Sequence, residues 1–311
     1  LVNAARERNL KAPVNAASLL GPQIKSGSAR LETVRLIGAW KLDTHVAAIR
    51  DIAAELTEPI ALRVAAAEAL GQLSGPQVAE ALAKLTAVNE PNNLRAASLG
   101  SLARHDVARA AQLTTGLVTK VKPDELGLLM AALLQRKSGA DELADKLVQT
   151  KVSVDTAKLI LRWLNAAGRV EPKLSAVLNK AIGVQAALPV YSVKFVNELA
   201  KEALELGDAV NGKKVFQIPL ASCTACHAVD GVKGTATTVK GPNLTAVAAG
   251  LPLDLLVESV LWPARQIKEG YEANTVVTKD GRVLSGFAHS ENKTVLRIRD
   301  LATGKIAPVQ I

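Results

Sequence analysis

With 311 residues, the chain is long enough for two domains with separate cores. Apolar residues make up 49% of it, but only eight side chains are aromatic and the bulk is Ala, Leu and Val, a mix that suits close-packed helices and disfavours sandwiches and barrels. The formal charge of +9 sits mostly on residues 1–200, with 25 basic and 18 acidic side chains, yet no basic run and few stacking aromatics accompany it, so nucleic acid is not an expected partner.

The chain opens at Leu1 without a methionine and without the charged-then-apolar run of a signal peptide, which suggests a processed protein or part of a longer polypeptide. No uninterrupted apolar stretch approaches the length that crosses a bilayer, so no membrane span is expected. "RLETVRLIG" from Arg30, "RVAAAEALG" from Arg63 and "RAASLGSLA" from Arg95 then repeat one pattern at nearly equal intervals: an Arg, followed at the eighth position by Gly38, Gly71 and Ala103. Each runs through a break into a second apolar helix, such as "SGPQVAEALAKLTAV", with apolar residues three to four apart. Looser helical patterns continue to about residue 200, with Asp124 and Asp155 at expected N-caps. Helix pairs of this kind bury their apolar faces only by stacking, which predicts an α-solenoid over residues 1–206 that resembles HEAT-type repeats. His45 and His105 fall near breaks between helices, where capping or solvent-facing roles are expected.

A new pattern starts near residue 207. A helix opens at Asp208, and "CTACH" follows at 223–227, holding both cysteines of the chain. Cys-x-x-Cys-His is the attachment signature for c-type haem: two thiols add across the two vinyl groups, and the next histidine reaches the iron. Cys223 and Cys226 are therefore the expected thioether anchors and His227 the proximal ligand. A thioredoxin-like dithiol would want a preceding strand; zinc would want further ligands, and no other cysteine exists. From about residue 274 the pattern turns to β-branched alternation broken at Asp280-Gly281 and Glu291-Asn292, which predicts consecutive hairpins.

The order "GDAVNGKKVF", "CTACH", "GPNL" and "LDLLVESVLWPARQI" resembles a class I cytochrome c. That resemblance implies that Gly212 and Phe216 pack against a later helix, that the Pro242 carbonyl supports His227 and that Leu244 lines the haem. It also implies that Leu255, Leu256, Val260 and Ile267 close an apolar crevice. With "IKEGYEANTVVTKDGRVLSGF" added, residues 207–311 are similar to the haem-binding domain found at the C-terminus of large planctomycete and verrucomicrobial proteins. There it often follows a HEAT-like region, which in turn may follow a dehydrogenase-like propeller. The expected fold is thus mainly α: a solenoid over 1–206, then a monohaem cytochrome c domain over 207–311 with a β-hairpin extension.

The pattern departs from that family at the second axial ligand. Where a class I cytochrome c supplies methionine, this chain has a run near Ala273 without one, and its single methionine is Met130, in a repeat helix. Tyr271, Lys268, His289 or water are the candidates for the sixth position. Lys213, Lys214, Lys233 and Lys240 flank the motif and are placed to steer an acidic redox partner. The expectation is one covalent haem c that moves electrons, taking them from a partner or fused dehydrogenase, in the periplasm or another exported compartment. A haem sensor or peroxidase-like protein with an open sixth site is the alternative, and a scaffold with a structural haem is a third reading. No nucleophile-base constellation or phosphate loop points to another enzyme.

Overall fold

The computed structural model describes residues 2, 5, 10–183, 190–217, 223–230, 240–302 and 304–310. Among them, fifteen α-helices precede a small four-stranded antiparallel sheet at the C-terminus. None of these helices is long and apolar enough to cross a membrane. Packing groups the chain otherwise than a single cut after residue 206. One compact unit comprises Leu1–Thr156, Glu171–Val177 and Val277–Val283; the other comprises Ala157–Val170, Leu178–Val276 and Leu284–Ile311.

In the first unit the helices are α1 (Ala16–Lys25), α2 (Arg30–Ala39), α3 (Val46–Ala54), α4 (Ile60–Leu70) and α5 (Val78–Lys84), then α6 (Asn92–His105), α7 (Val107–Leu117), α8 (Pro123–Leu134) and α9 (Gly139–Val148). Alternate helices pack on one another, α2 on α4, α4 on α6 and α6 on α8, while α7 packs on α9. The residues that repeat in sequence make these contacts. A Cβ on Gly38 would lie 2.8 Å from Ala69 Cα, and one on Gly71 would lie 3.0 Å from Ser101 Cα, so glycine allows these alternate helices to approach backbone to backbone.

The repeated arginines bind alike. Arg30 donates through Nε to the Ile24 carbonyl at 2.8 Å and through Nη1 to Glu58 at 2.8 Å. Arg63 donates through Nε to the Ala53 carbonyl at 3.0 Å and through Nη2 to both Glu90 oxygens at 3.0 Å. Arg95 donates through Nε to the Ala87 carbonyl at 3.1 Å and pairs with Glu125. Each guanidinium thus fills the carbonyls at the end of the preceding segment and holds a carboxylate from the segment that opens the next repeat. His45 and His105 serve similar ends: their Nε2–H groups donate to the Ala17 carbonyl at 2.9 Å and the Leu70 carbonyl at 3.0 Å.

The N-caps differ from expectation in places. Lys122 precedes Pro123 at the start of α8, which puts Asp124 inside its first turn, its side chain outside the described residues. In α10 (Val154–Ala166), Asp155 lies in the first turn and Ser153 Oγ accepts the Thr156 N–H at 3.1 Å. A hydroxyl two positions upstream has the reach that Asp155, already in helical backbone, lacks.

In the second unit, α11 (Pro172–Ala181) enters at its C-terminal end, followed by α12 (Val193–Leu206), α13 (Ala209–Gln217), α14 (Val247–Gly250) and α15 (Leu253–Leu261). Helix α12 packs on α15. Past the end of α15, Trp262 meets Tyr191 and Phe195 edge-on, at centroid distances of 5.4 and 6.1 Å. Arg265 lies 3.5 Å over the Tyr191 ring and 3.1 Å from Glu258 Oε1, so the buried Glu258 carboxylate is paired. Hydrogen bonding to Glu258 holds the Tyr191 hydroxyl above the usual tyrosine range.

The sheet runs β1 (Ala273–Val277), β2 (Val283–Glu291), β3 (Val295–Asp300) and β4 (Ile306–Gln310), each strand beside the next in sequence. Both expected turns form. Gly281 adopts φ +77°, and Asn292 Oδ1 accepts the N–H groups of Thr294 and Val295 at 3.0 and 2.8 Å. A third turn at Gly304, φ +72°, completes a meander.

The first turn belongs to the first unit, where the Arg136 guanidinium donates to the Asp280 carbonyl at 2.7 Å and Lys137 N–H to the Gly281 carbonyl at 3.1 Å. Burial works to raise the Asp280 carboxyl. The Thr278 hydroxyl, the Arg282 guanidinium at 3.0 Å and Arg104 outweigh it and hold the group below its ordinary value. A carboxylate depressed in the folded state adds stability above its unfolded pKa and loses it as pH falls through the folded one. Asp280→Asn should therefore lower the urea midpoint at neutral pH and shrink the wild-type loss on acidification below about pH 4. Parallel midpoint-against-pH curves for the two chains would refute this.

Candidate functional site

A single turn of 3₁₀ helix, Cys223–Ala225, begins the site, and α13 packs beside it. The Cys223 carbonyl accepts the N–H of Cys226 at 3.3 Å and of His227 at 3.0 Å, so both sulfur-bearing residues and the histidine belong to one tight turn. No disulfide joins the cysteines. Burial pushes the Cys226 thiol up, an effect that Lys240 opposes and Cys223 adds to.

His227 Nδ1 lies 2.8 Å from the Pro242 carbonyl oxygen. A carbonyl only accepts, so Nδ1 carries the proton and donates it, which makes Nε2 the nitrogen whose lone pair is available to a ligand. Gly241 is buried against the same ring: a Cβ there would stand 2.7 Å from His227 Cε1 and 3.0 Å from Nδ1. Only glycine lets the chain lie over the imidazole while the next residue bonds to it. The loop is then tied back, with Leu244 N–H donating to the Ala228 carbonyl at 2.9 Å and Asp230 N–H to Thr245 Oγ1 at 2.9 Å. Thr245 in turn donates through N and Oγ1 to Asn243 Oδ1, at 2.8 and 2.6 Å.

The structure thus brings Cys223, Cys226, His227, Pro242 and Leu244 together. Phe216 is half-buried on α13. One expectation is corrected here: α13 packs beside the cysteine turn while α12 packs on α15, and among the described residues nothing lies within 4 Å of a Cβ placed on Gly212. Longer and more amphipathic, α12 offers α15 a continuous apolar stripe, including buried Val196 and Ala200, whereas α13 buries no residue. Leu255 and Leu256 are half-buried, while Val260 and Ile267 are 79% and 49% exposed.

Of the sixth-ligand candidates, Tyr271 packs edge-on against Phe287, centroids 5.5 Å apart. Lys268 is exposed, and exposed His289 is the extra residue of a bulge between Ala288 and Ser290. Met130 is fully buried on α8 in the first unit. Lys213 and Lys214 are exposed on α13, and Lys240 is half-buried beside Gly241; Lys233 lies outside the described residues. Among the described residues no cluster of three or more His, Cys, Asp and Glu forms, as a zinc centre would want, whereas a haem iron asks the chain for one histidine.

Sequence reasoning did not single out Gly241, Asn243 or Thr245, although "GPNLT" placed all three beside Pro242. These residues fit a haem c: two thiols on one turn, an imidazole with Nε2 open, and a loop that fixes the ring from behind. No protein family, curated protein or solved structure matches the chain.

Proposed function

We propose that this chain transfers electrons through one covalently attached c-type haem, held by thioethers to Cys223 and Cys226 and by His227 as proximal ligand. The observation that carries the reading is the 2.8 Å bond from His227 Nδ1 to Pro242, on the same turn as both thiols. It fixes the tautomer and raises the basicity of Nε2, as partners behind a ligating histidine do. The bound haem supplies the one-electron chemistry; the chain supplies attachment, ring orientation and an apolar surround. Val210, Val215, Val260 and Ile267 are 70, 48, 79 and 49% exposed in the unit that carries the motif, and each gains about 1–2 kcal/mol if an apolar face covers it.

We read residues 207–311 as a class I-type cytochrome domain and the alternate-helix packing before it as a HEAT-like array. The electron donor is a partner or fused dehydrogenase domain, with Lys213, Lys214 and Lys240 steering an acidic surface. Haem c attachment outside the cytoplasm assigns the chain to the periplasm or another exported compartment.

One observation favours a second reading, a sensor or peroxidase-like protein with an open sixth site. The only methionine is buried in α8, and His45 and His105 have their Nε2–H groups committed to carbonyls. Optical spectra of the oxidised and reduced protein, with and without CO, separate the two. A low-spin spectrum indifferent to CO establishes the electron carrier; a high-spin spectrum that CO shifts at once establishes the open iron. Protein from a host able to attach haem c that shows no haem band sinks both.

A further inference from the structure

We propose that Thr245 is a positioning residue for His227, acting through hydrogen bonds that keep the Pro242 carbonyl at Nδ1. The electronic consequence rests on the haem reading above; the positioning itself does not. Proline has no N–H, so residue 242 cannot be tied down by a donor of its own. Its carbonyl is placed from either side: by Gly241, pressed against the imidazole, and by Asn243 to Thr245, tied to the segment that follows His227.

Within that tie, beside the bond from Leu244 N–H to the Ala228 carbonyl, the Thr245 hydroxyl works in both directions. It accepts the Asp230 N–H at 2.9 Å and donates to Asn243 Oδ1 at 2.6 Å, so one oxygen joins the segment leaving the histidine to the loop that returns to it. Asn243 and Thr245 are exposed, and their hydrogen bonds run to each other and to Asp230, on either side of the segment that carries Pro242. A bond from Nδ1–H to a carbonyl pushes electron density into the ring and favours the ferric state of an iron on Nε2. Loosening it makes the imidazole a poorer donor and raises the reduction potential.

Thr245→Val keeps shape and removes the hydroxyl; Thr245→Ser keeps the hydroxyl and removes a methyl. In the full chain without haem, nitrogen–proton correlation spectra of the imidazoles, assigned with His227→Gln, should show His227 as the Nδ1–H tautomer in the wild type and in Thr245→Ser. In Thr245→Val that form should fall to a minority, and the haem-loaded variant should have a higher midpoint potential than wild type. An unchanged tautomer in Thr245→Val, or a serine variant that behaves like valine, overturns the proposal. Should the wild type take up no haem, the haem reading fails and the tautomer measurement still decides the role of Thr245. Should haem bind with its potential unmoved in Thr245→Val, the electronic consequence is overturned, and the tautomer still decides the positioning role.

Discussion

A chain carrying Cys223→Ala and Cys226→Ala together should show no haem on a denaturing gel, where the wild type should stain for it. Only covalent bonds survive denaturation, and these are the only two thiols in the sequence. Single variants should each keep haem through one thioether. They should differ from wild type in the reduced pyridine spectrum, because the vinyl group left unsaturated stays conjugated with the ring and moves the main band to longer wavelength. His227→Ala leaves both thiols on the turn but removes the axial base, so haem attached to it should be high-spin and bind CO freely. Haem recovered on the gel from the double alanine chain would remove the basis of the whole functional reading.

The second large effect lies in the helical unit. Arg63 is 4% exposed, with Nε on the Ala53 carbonyl and Nη2 on both oxygens of Glu90. Arg63→Met should lower stability by about 3 kcal/mol, at the low end for breaking a buried pair, since Glu90 keeps some contact with water. Adding Glu90→Leu should recover much of that loss, because the stranded carboxylate causes most of it. Urea unfolding followed by far-UV circular dichroism gives both numbers. A double variant no better than Arg63→Met alone would mean that the carbonyl bond to Ala53, and not the ion pair, carries the stabilisation.

The repeats were legible because their residues do geometric work. Arginine recurs at 30, 63 and 95 since each occurrence closes the same two kinds of bond, and Gly38 and Gly71 recur where backbones touch. The hairpin turns were legible for a similar reason, as Asp280-Gly281 and Asn292 supply the local chemistry that a reversal needs. The third turn, at Gly304, lacked so plain a signal. What could not be read was partnership. Helices α12 and α13 are both amphipathic, and a moment says which face is apolar but not what meets it. Likewise the nest of Tyr191, Phe195 and Trp262 joins segments far apart in the chain, so no local window holds all its parts. At the site, the five-residue motif suggested the chemistry, whereas the bond from His227 to Pro242 was expected only by resemblance and Thr245 not at all.

The arginine pairs also bear on how the chain is made. Each guanidinium finds its carbonyl in the segment just behind it, but its carboxylate, Glu58, Glu90 or Glu125, lies a whole repeat ahead. As the polypeptide leaves the ribosome, α4 can dock on α2 while Arg63 still lacks Glu90, and α6 on α4 while Arg95 still lacks Glu125, so each of these two segments carries a buried cation awaiting the next. Folding of this unit therefore trails synthesis by one segment, and a truncation between Arg63 and Glu90 leaves that debt permanently open to proteolysis.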